Sequence, residues 1–104
     1  MRGGYVEEDL RLVQVFLSHT STPHPGIYEV SVKGNGTLTC TCPGFRARLV
    51  CKHVKFVKTK IETNNGTYPL EISYRATDVE ADKAKESNTS FREFVIKFGK
   101  IEVF

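Results

Sequence analysis

Three cysteines and one histidine lie close together in this 104-residue chain, as two short pairs. Cys40-Thr-Cys42 is followed by eight residues and then by Cys51-Lys-His53. Three thiolates and one imidazole are ligands that Zn²⁺ prefers, held tetrahedrally with Zn–S distances of about 2.3 Å. Because four protein ligands leave no position for a reactive water, such a site is structural. The residues therefore predict one structural zinc ion held by Cys40, Cys42, Cys51 and His53.

Other uses of these cysteines fit the sequence less well. An odd number of cysteines cannot form a complete set of disulfides, and Cys40 and Cys42 are too close in sequence to bridge without strain. Iron–sulfur clusters usually take four cysteines. The remaining alternative is that the cysteines fill apolar space and that His53 is a core histidine. His19 and His24 lie in a proline-containing loop that is distant in sequence from the four candidate ligands, and we do not expect them to bind the metal.

A predicted β-hairpin carries the first cysteine pair. Residues 27–33 alternate between apolar and other side chains, and Gly34-Asn35-Gly36 is typical of a hairpin turn. Residues 37–41 are predicted to return as the second strand. Since successive side chains of a strand alternate between faces, Cys40 and Cys42 should point the same way.

A predicted helix carries the second pair. Pro43-Gly44-Phe45 is expected to turn the chain after the hairpin, and a helical repeat of apolar residues follows. Residues two apart on a helix point nearly oppositely, so Cys51 and His53 cannot share a metal from the middle of a helix. The helix should therefore begin near Cys51 or Lys52, with Cys51 at its edge. Its predicted apolar stripe consists of Val50, Val54, Val57 and Ile61.

The remaining elements flank this hairpin–helix unit. We predict strands at 10–18, 68–74 and 101–104, and in the first of these Val13, Val15 and Leu17 should lie on one face. A helical turn or a linker is predicted within 78–90. A short helix should follow, from a capping box of Ser90 and Glu93 to Gly99, and its predicted buried residues are Phe91, Phe94, Val95 and Phe98. The predicted fold is α+β. It is a small zinc-stabilised domain over residues 1–104, with a ββα zinc unit at 27–61. Residues 62–104 form a strand–helix–strand extension that could continue into a longer protein.

Charge is distributed unevenly along the chain. No acidic residue lies between Glu29 and Glu62, a window that holds seven basic residues, whereas the rest of the chain has 8 basic and 12 acidic residues, a net charge of −4. Such segregation favours an anionic partner, and nucleic acid is the expected one. The alternative is a set of solvated lysines. The candidate contacts are Arg46, Arg48, Lys52, Lys55, Lys58 and Lys60. Phe56 could stack on a base; the alternative is that it shields the zinc site or packs under the C-terminal strand.

The stretch Cys40-Thr-Cys42-Pro-Gly-Phe through Cys51-Lys-His53-Val resembles the SWIM zinc finger, whose pattern is Cys-x-Cys, a variable spacer and Cys-x-His. The resemblance covers about residues 27–61. It implies a ββα zinc unit, with these four residues as ligands, that binds DNA or other proteins. Of these partners, the basic residues favour DNA.

Two further expectations complete the functional prediction. No apolar stretch approaches the roughly 18 residues that a membrane-spanning helix needs, and the N-terminus does not resemble a secretory signal. An intracellular protein is therefore expected, either cytoplasmic or nuclear or nucleoid-associated. Catalysis is not expected, because no nucleophile–base arrangement is visible.

The alternative function is a zinc-stabilised protein-interaction adaptor that uses the Phe-rich C-terminus or the acidic residues within 78–86.

Overall fold

The computed structural model describes residues 10–18 and 26–104. These residues form an α+β fold, which confirms the predicted class. The strands are β1 (Leu10–Leu17), β2 (Ile27–Lys33), β3 (Leu38–Cys40) and β4 (Glu102–Val103), and the helices are α1 (Pro43–Arg48), α2 (Lys52–Thr63), α3 (Asp78–Ala84) and α4 (Asn88–Phe98). None of the described helices is long and apolar enough to cross a membrane. His19 and His24 lie outside the described residues.

One mixed sheet joins the four strands in the order β3-β2-β1-β4. β2 pairs antiparallel with β1 and β3, whereas β4 pairs parallel with β1. The predicted turn between β2 and β3 is confirmed: the Lys33 amide donates to the Thr37 carbonyl at 2.8 Å, and Gly36 has a φ of +92°. That left-handed backbone explains why a glycine follows Asn35 in the turn.

A β-bulge in β1 lets this strand build two cores. The register with β2 shifts between Leu12 and Gln14, so Val13 is an extra residue. Consequently Val13 and Phe16 pack in one core, whereas Leu12 and Val15 pack in the core on the other face of the sheet. The predicted alternation of Val13, Val15 and Leu17 on one face is therefore wrong.

A helix covers each core. On one face Val57 of α2 packs in the core that contains Phe16 and Val30, and on the other Val95 of α4 packs against Leu12 and Val15. The apolar stripe of α2 is confirmed from Val54 onward. Val50 is not part of the stripe: it precedes the helix and is exposed.

The predicted strand at 68–74 is wrong. The segment forms only an isolated bridge between Ile72 and Gly99, supported by hydrogen bonds from the Ser73 amide to the Phe98 carbonyl and from the Lys100 amide to the Glu71 carbonyl. The segment thus pairs with the end of α4 and the residues after it, and it does not join the four-stranded sheet. The apolar alternation does not mark a buried face either, since Tyr74 is 96% exposed.

The capping box predicted at Ser90 and Glu93 is also wrong, because α4 begins one turn earlier. Ser87 is the N-cap, and its hydroxyl accepts the Ser90 amide at 3.0 Å. A reciprocal capping box instead starts α3, where Thr77 and Glu80 exchange hydrogen bonds of 3.0 and 3.2 Å. Helix α4 ends at Gly99 as predicted. Of its predicted buried stripe only Val95 is buried, whereas Phe91, Phe94 and Phe98 are partly buried. Of the two alternatives predicted for 78–90, a helical turn or a linker, the helical one is confirmed as helix α3.

Gly99 is required because the backbone passes very close to the end of α4. A Cβ atom at this position would lie 2.6 Å from the Val95 carbonyl oxygen, which is closer than packed atoms approach. We expect Gly99→Ala to lower the free energy of unfolding by about 1–3 kcal/mol, measured by chemical denaturation.

The matched control is Gly44→Ala. A Cβ atom there would have ordinary contacts of 3.9 and 4.0 Å with Cys51 and Cys42, and alanine is the better helix former, so stability should be unchanged or slightly higher. Equal stabilities for the two variants would contradict the close approach at Gly99.

Candidate metal centre

Four ligand atoms, one from each of Cys40, Cys42, Cys51 and His53, lie within 4.8 Å of one another. Three of these residues are buried, and Cys51 is partly buried. The Cys40 Sγ atom is 3.7 Å from His53 Nδ1. Around a tetrahedral zinc with bonds of about 2.3 Å, neighbouring sulfurs are about 3.8 Å apart. The cluster therefore fits one zinc ion, and these residues are positioned to bind it.

The first cysteine pair joins the sheet to a short helix. Cys40 ends β3, and Cys42 is the N-cap of α1, where its Sγ accepts the Phe45 amide at 3.4 Å. The predicted simple turn at Pro43-Gly44-Phe45 is thus the first turn of a helix. Pro43 suits the first helical position because its missing N–H would have no helical partner there. This geometry directs backbone N–H groups at the Cys42 sulfur.

The second pair repeats the arrangement at the start of α2. Cys51 is the N-cap, and its Sγ accepts the Val54 amide at 3.4 Å. Its backbone is extended, with φ −162° and ψ 166°, whereas Lys52 and His53 are already helical. The change of backbone conformation lets two residues that are two positions apart reach one metal. The predicted helix start at Cys51 or Lys52 is confirmed.

Burial and hydrogen bonding act differently on the two cysteines of the first pair. Burial raises the pKa of Cys40 to about 12. Burial would also raise the pKa of Cys42, but hydrogen bonds from the Phe45 amide and from the neighbouring thiols outweigh it and lower that pKa. Burial, together with the charge of Lys52, lowers the pKa of His53 and favours its neutral form. Zinc, when bound, supplies the positive charge that keeps buried cysteines as thiolates.

Aromatic rings from distant parts of the chain enclose His53. Its ring centroid lies 4.8 Å from that of Phe16, 5.5 Å from Tyr28 and 5.6 Å from Phe104. The buried Nε2 atom has no hydrogen-bond partner within the described part of the chain. Phe16 and Phe104 were missed as parts of the site because no local pattern links residues so far apart. The only feature of the sequence that could have indicated a buried role for Phe104 was its apolar side chain.

Phe56 belongs to the same aromatic cluster. Its ring packs edge-on against Phe16 at 5.6 Å and Phe104 at 5.3 Å between centroids. The prediction that Phe56 packs under the C-terminal strand is therefore confirmed by its contact with Phe104.

The six predicted basic contacts lie on the two helices that begin at the metal centre. Five are exposed, namely Arg46, Arg48, Lys52, Lys55 and Lys58. Lys60 is half-buried, with its Nζ 5.3 Å from the Phe56 ring centroid. Among the described residues, none of the six forms an ion pair. Arg48 and Lys52 line one cavity of about 390 Å³ beside Cys51 and His53.

The comparisons with known proteins agree with the site. Residues 28–62, about a third of the chain, match the family model of the SWIM zinc finger. No match was found among curated proteins or among solved structures. The chain therefore carries a SWIM zinc finger, as the resemblance predicted, and this zinc finger is a structural module. The metal cluster and the hairpin–helix arrangement support the same conclusion.

The substitution Cys51→Ser separates the role of this residue as the N-cap of α2 from its role as a zinc ligand. Serine is a good N-cap but a poor zinc ligand, so the start of α2 should survive while the metal site does not. We expect zinc affinity to fall by at least roughly 100-fold in a competition titration with a chromophoric chelator. Circular dichroism should show that zinc increases order in the wild-type chain only.

The control is Thr59→Ser, which changes an exposed residue of the same helix and should bind zinc like the wild type. If Cys51→Ser kept wild-type zinc affinity, Cys51 would not be a ligand.

Proposed function

We propose that this chain is a binding module whose zinc unit presents a basic surface to nucleic acid, and that DNA is its partner. The basic surface consists of Arg46, Arg48, Lys52, Lys55, Lys58 and Lys60. The observation that carries the proposal is that five of these six side chains are exposed on helices α1 and α2 without an acidic partner in the described residues. The proposal includes an intracellular location.

Ion pairs on the described chain lie elsewhere. Arg92 makes a bidentate ion pair with Glu29, at 2.5 and 2.8 Å. Lys97 lies near Glu80 of α3, and Lys100 lies near Glu71 and near Glu102 of β4. The carboxylates therefore neutralise the α4 side of the molecule and leave the α1–α2 side positive. Phosphate groups can neutralise that side, and the counterions that they release favour binding.

The cavity beside the metal centre is the strongest part of the basic surface. Arg48 and Lys52 both line it, and it lies at the N-terminus of α2, where the helix dipole adds partial positive charge. A guanidinium can bond two phosphate oxygens at once, whereas an ammonium acts as a point charge. The pair is therefore suited to one or two adjacent phosphates of a backbone.

The alternative function, a protein-interaction adaptor, has less support. The phenylalanines of the C-terminal region, including Phe91, Phe98 and Phe104, are half-buried in the fold. Within the acidic segment, Glu80 caps α3 and pairs with Lys97. The phenylalanines and the acidic segment on which an adaptor would depend are thus partly occupied by contacts within the protein. We propose no catalytic role, since the three thiols converge on the metal centre and are not free nucleophiles.

The test is a fluorescence anisotropy titration of the zinc-loaded full chain with labelled duplex DNA at several salt concentrations. Each phosphate contact contributes about −0.9 to the slope of log K against log salt. We expect a steep slope for the wild type. Arg46→Ala/Arg48→Ala should reduce its magnitude by about 2 and weaken binding at low salt.

A double variant of equal charge change is the control. Lys83→Ala/Lys85→Ala removes two charges from the α3 region, outside the basic surface, and should leave the slope unchanged. Equal losses in the two double variants would show only a general effect of net charge. Salt-independent binding, or none, would contradict the proposed function.

A further inference from the structure

The connection between α1 and α2 exposes two large aliphatic side chains in the middle of the basic surface. Leu49 is 72% exposed and Val50 is 55% exposed. We call these two residues the apolar knuckle. It lies between Cys42 and Cys51, so a metal ligand lies on each side of it in the chain. A bound metal would therefore hold the knuckle in a fixed position.

Leu49 also has an unusual backbone. It is the C-cap of α1, with φ +64° and ψ 15°, and its amide donates to the Phe45 carbonyl at 2.7 Å. This left-handed conformation normally takes glycine or asparagine, because a Cβ atom is unfavourable there. Leucine at this position is therefore unfavourable both for the backbone and for its exposure to water. Most of the Leu49 side chain remains in solvent, and this combination of an unfavourable backbone and an exposed apolar side chain points to a contact outside the chain.

The charged neighbours of the knuckle indicate what it contacts. Arg46 and Arg48 precede it in the last turn of α1 and are both exposed. Residues two apart on a helix project about 200° apart, so the two guanidinium groups lie on different sides of the helix. Val50 lines the same cavity as Arg48 and Lys52. An aliphatic tip is thus flanked by cations that fit phosphates.

We propose that the apolar knuckle enters duplex DNA as a wedge, with Leu49 inserted at a base-pair step while Arg46 and Arg48 hold the flanking phosphates. This inference rests on the proposed function and specifies its partner. Proteins that insert aliphatic side chains from the minor groove, beside arginines, unstack a step and kink the duplex.

Single-stranded nucleic acid fits this surface less well. Binding of single strands relies on exposed aromatic rings on which bases stack. The aromatic residues within the zinc finger are partly buried, and Phe56 packs on Phe16 and Phe104. An aliphatic wedge separates stacked base pairs but offers no flat ring for an isolated base.

Leu49→Asn tests the wedge without straining the backbone. Asparagine tolerates the left-handed conformation better than leucine, so the variant should fold at least as well and bind zinc normally. Energy transfer between dyes at the two ends of a short duplex reports bending. We expect the wild type to increase energy transfer, since wedges kink DNA by about 20–90°. Leu49→Asn should lose that increase and bind roughly tenfold more weakly, with an unchanged salt slope.

The control is Val79→Asn, which replaces an aliphatic residue that is 77% exposed on α3 and should bend and bind DNA like the wild type. The wedge is overturned if the wild type binds without bending, if Leu49→Asn still bends the duplex, or if a single strand of equal length binds more tightly. In each of these outcomes salt-dependent binding can persist, in which case the proposed nucleic-acid binding is retained and only the wedge is rejected. Absence of salt-dependent binding would overturn both.

Discussion

The structure depends on bringing three cysteine sulfurs and one imidazole nitrogen within 4.8 Å of one another. Three thiolates at this separation repel each other, and burial makes their charged forms still less favourable, as the pKa of Cys40 shows. The chain offsets part of this cost by starting a helix at two of the cysteines. At each start a backbone N–H points at the sulfur, and a metal ion would supply the remaining positive charge.

The metal centre is also connected to the part of the chain outside the family match. The side chain of His53 is enclosed by Phe16 from β1 and Phe104 from the end of the chain, and Val57 of the same helix packs in the core with Phe16. The ring nitrogen of a metal-bound histidine that does not bind the metal usually donates its N–H to a polar partner. Here aromatic rings take that place and fix the ring by packing. Folding of the sheet and formation of the metal centre should therefore support each other.

Local sequence predicted the parts of the fold that depend on local geometry. Cys51 had to lie at a helix edge because residues two apart cannot share a metal from within a helix, and it is the N-cap. The glycines around Asn35 likewise predicted the hairpin turn. The errors arise from long-range partners. Residues 68–74 alternate like a strand but pair with the end of α4, and the bulge at Val13 is visible only in its register with β2. The aromatic enclosure of His53 could not be predicted for the same reason.

The central claim is that Cys40, Cys42, Cys51 and His53 together hold one zinc ion in a closed site. The most direct measurement is X-ray absorption at the zinc edge of the zinc-loaded full chain, with the metal content determined on the same sample. We predict one equivalent of zinc with three sulfur ligands at about 2.3 Å and one nitrogen ligand at about 2.0 Å. A first shell with an oxygen ligand in place of a sulfur or the nitrogen, or a folded chain that retains no zinc, would contradict it.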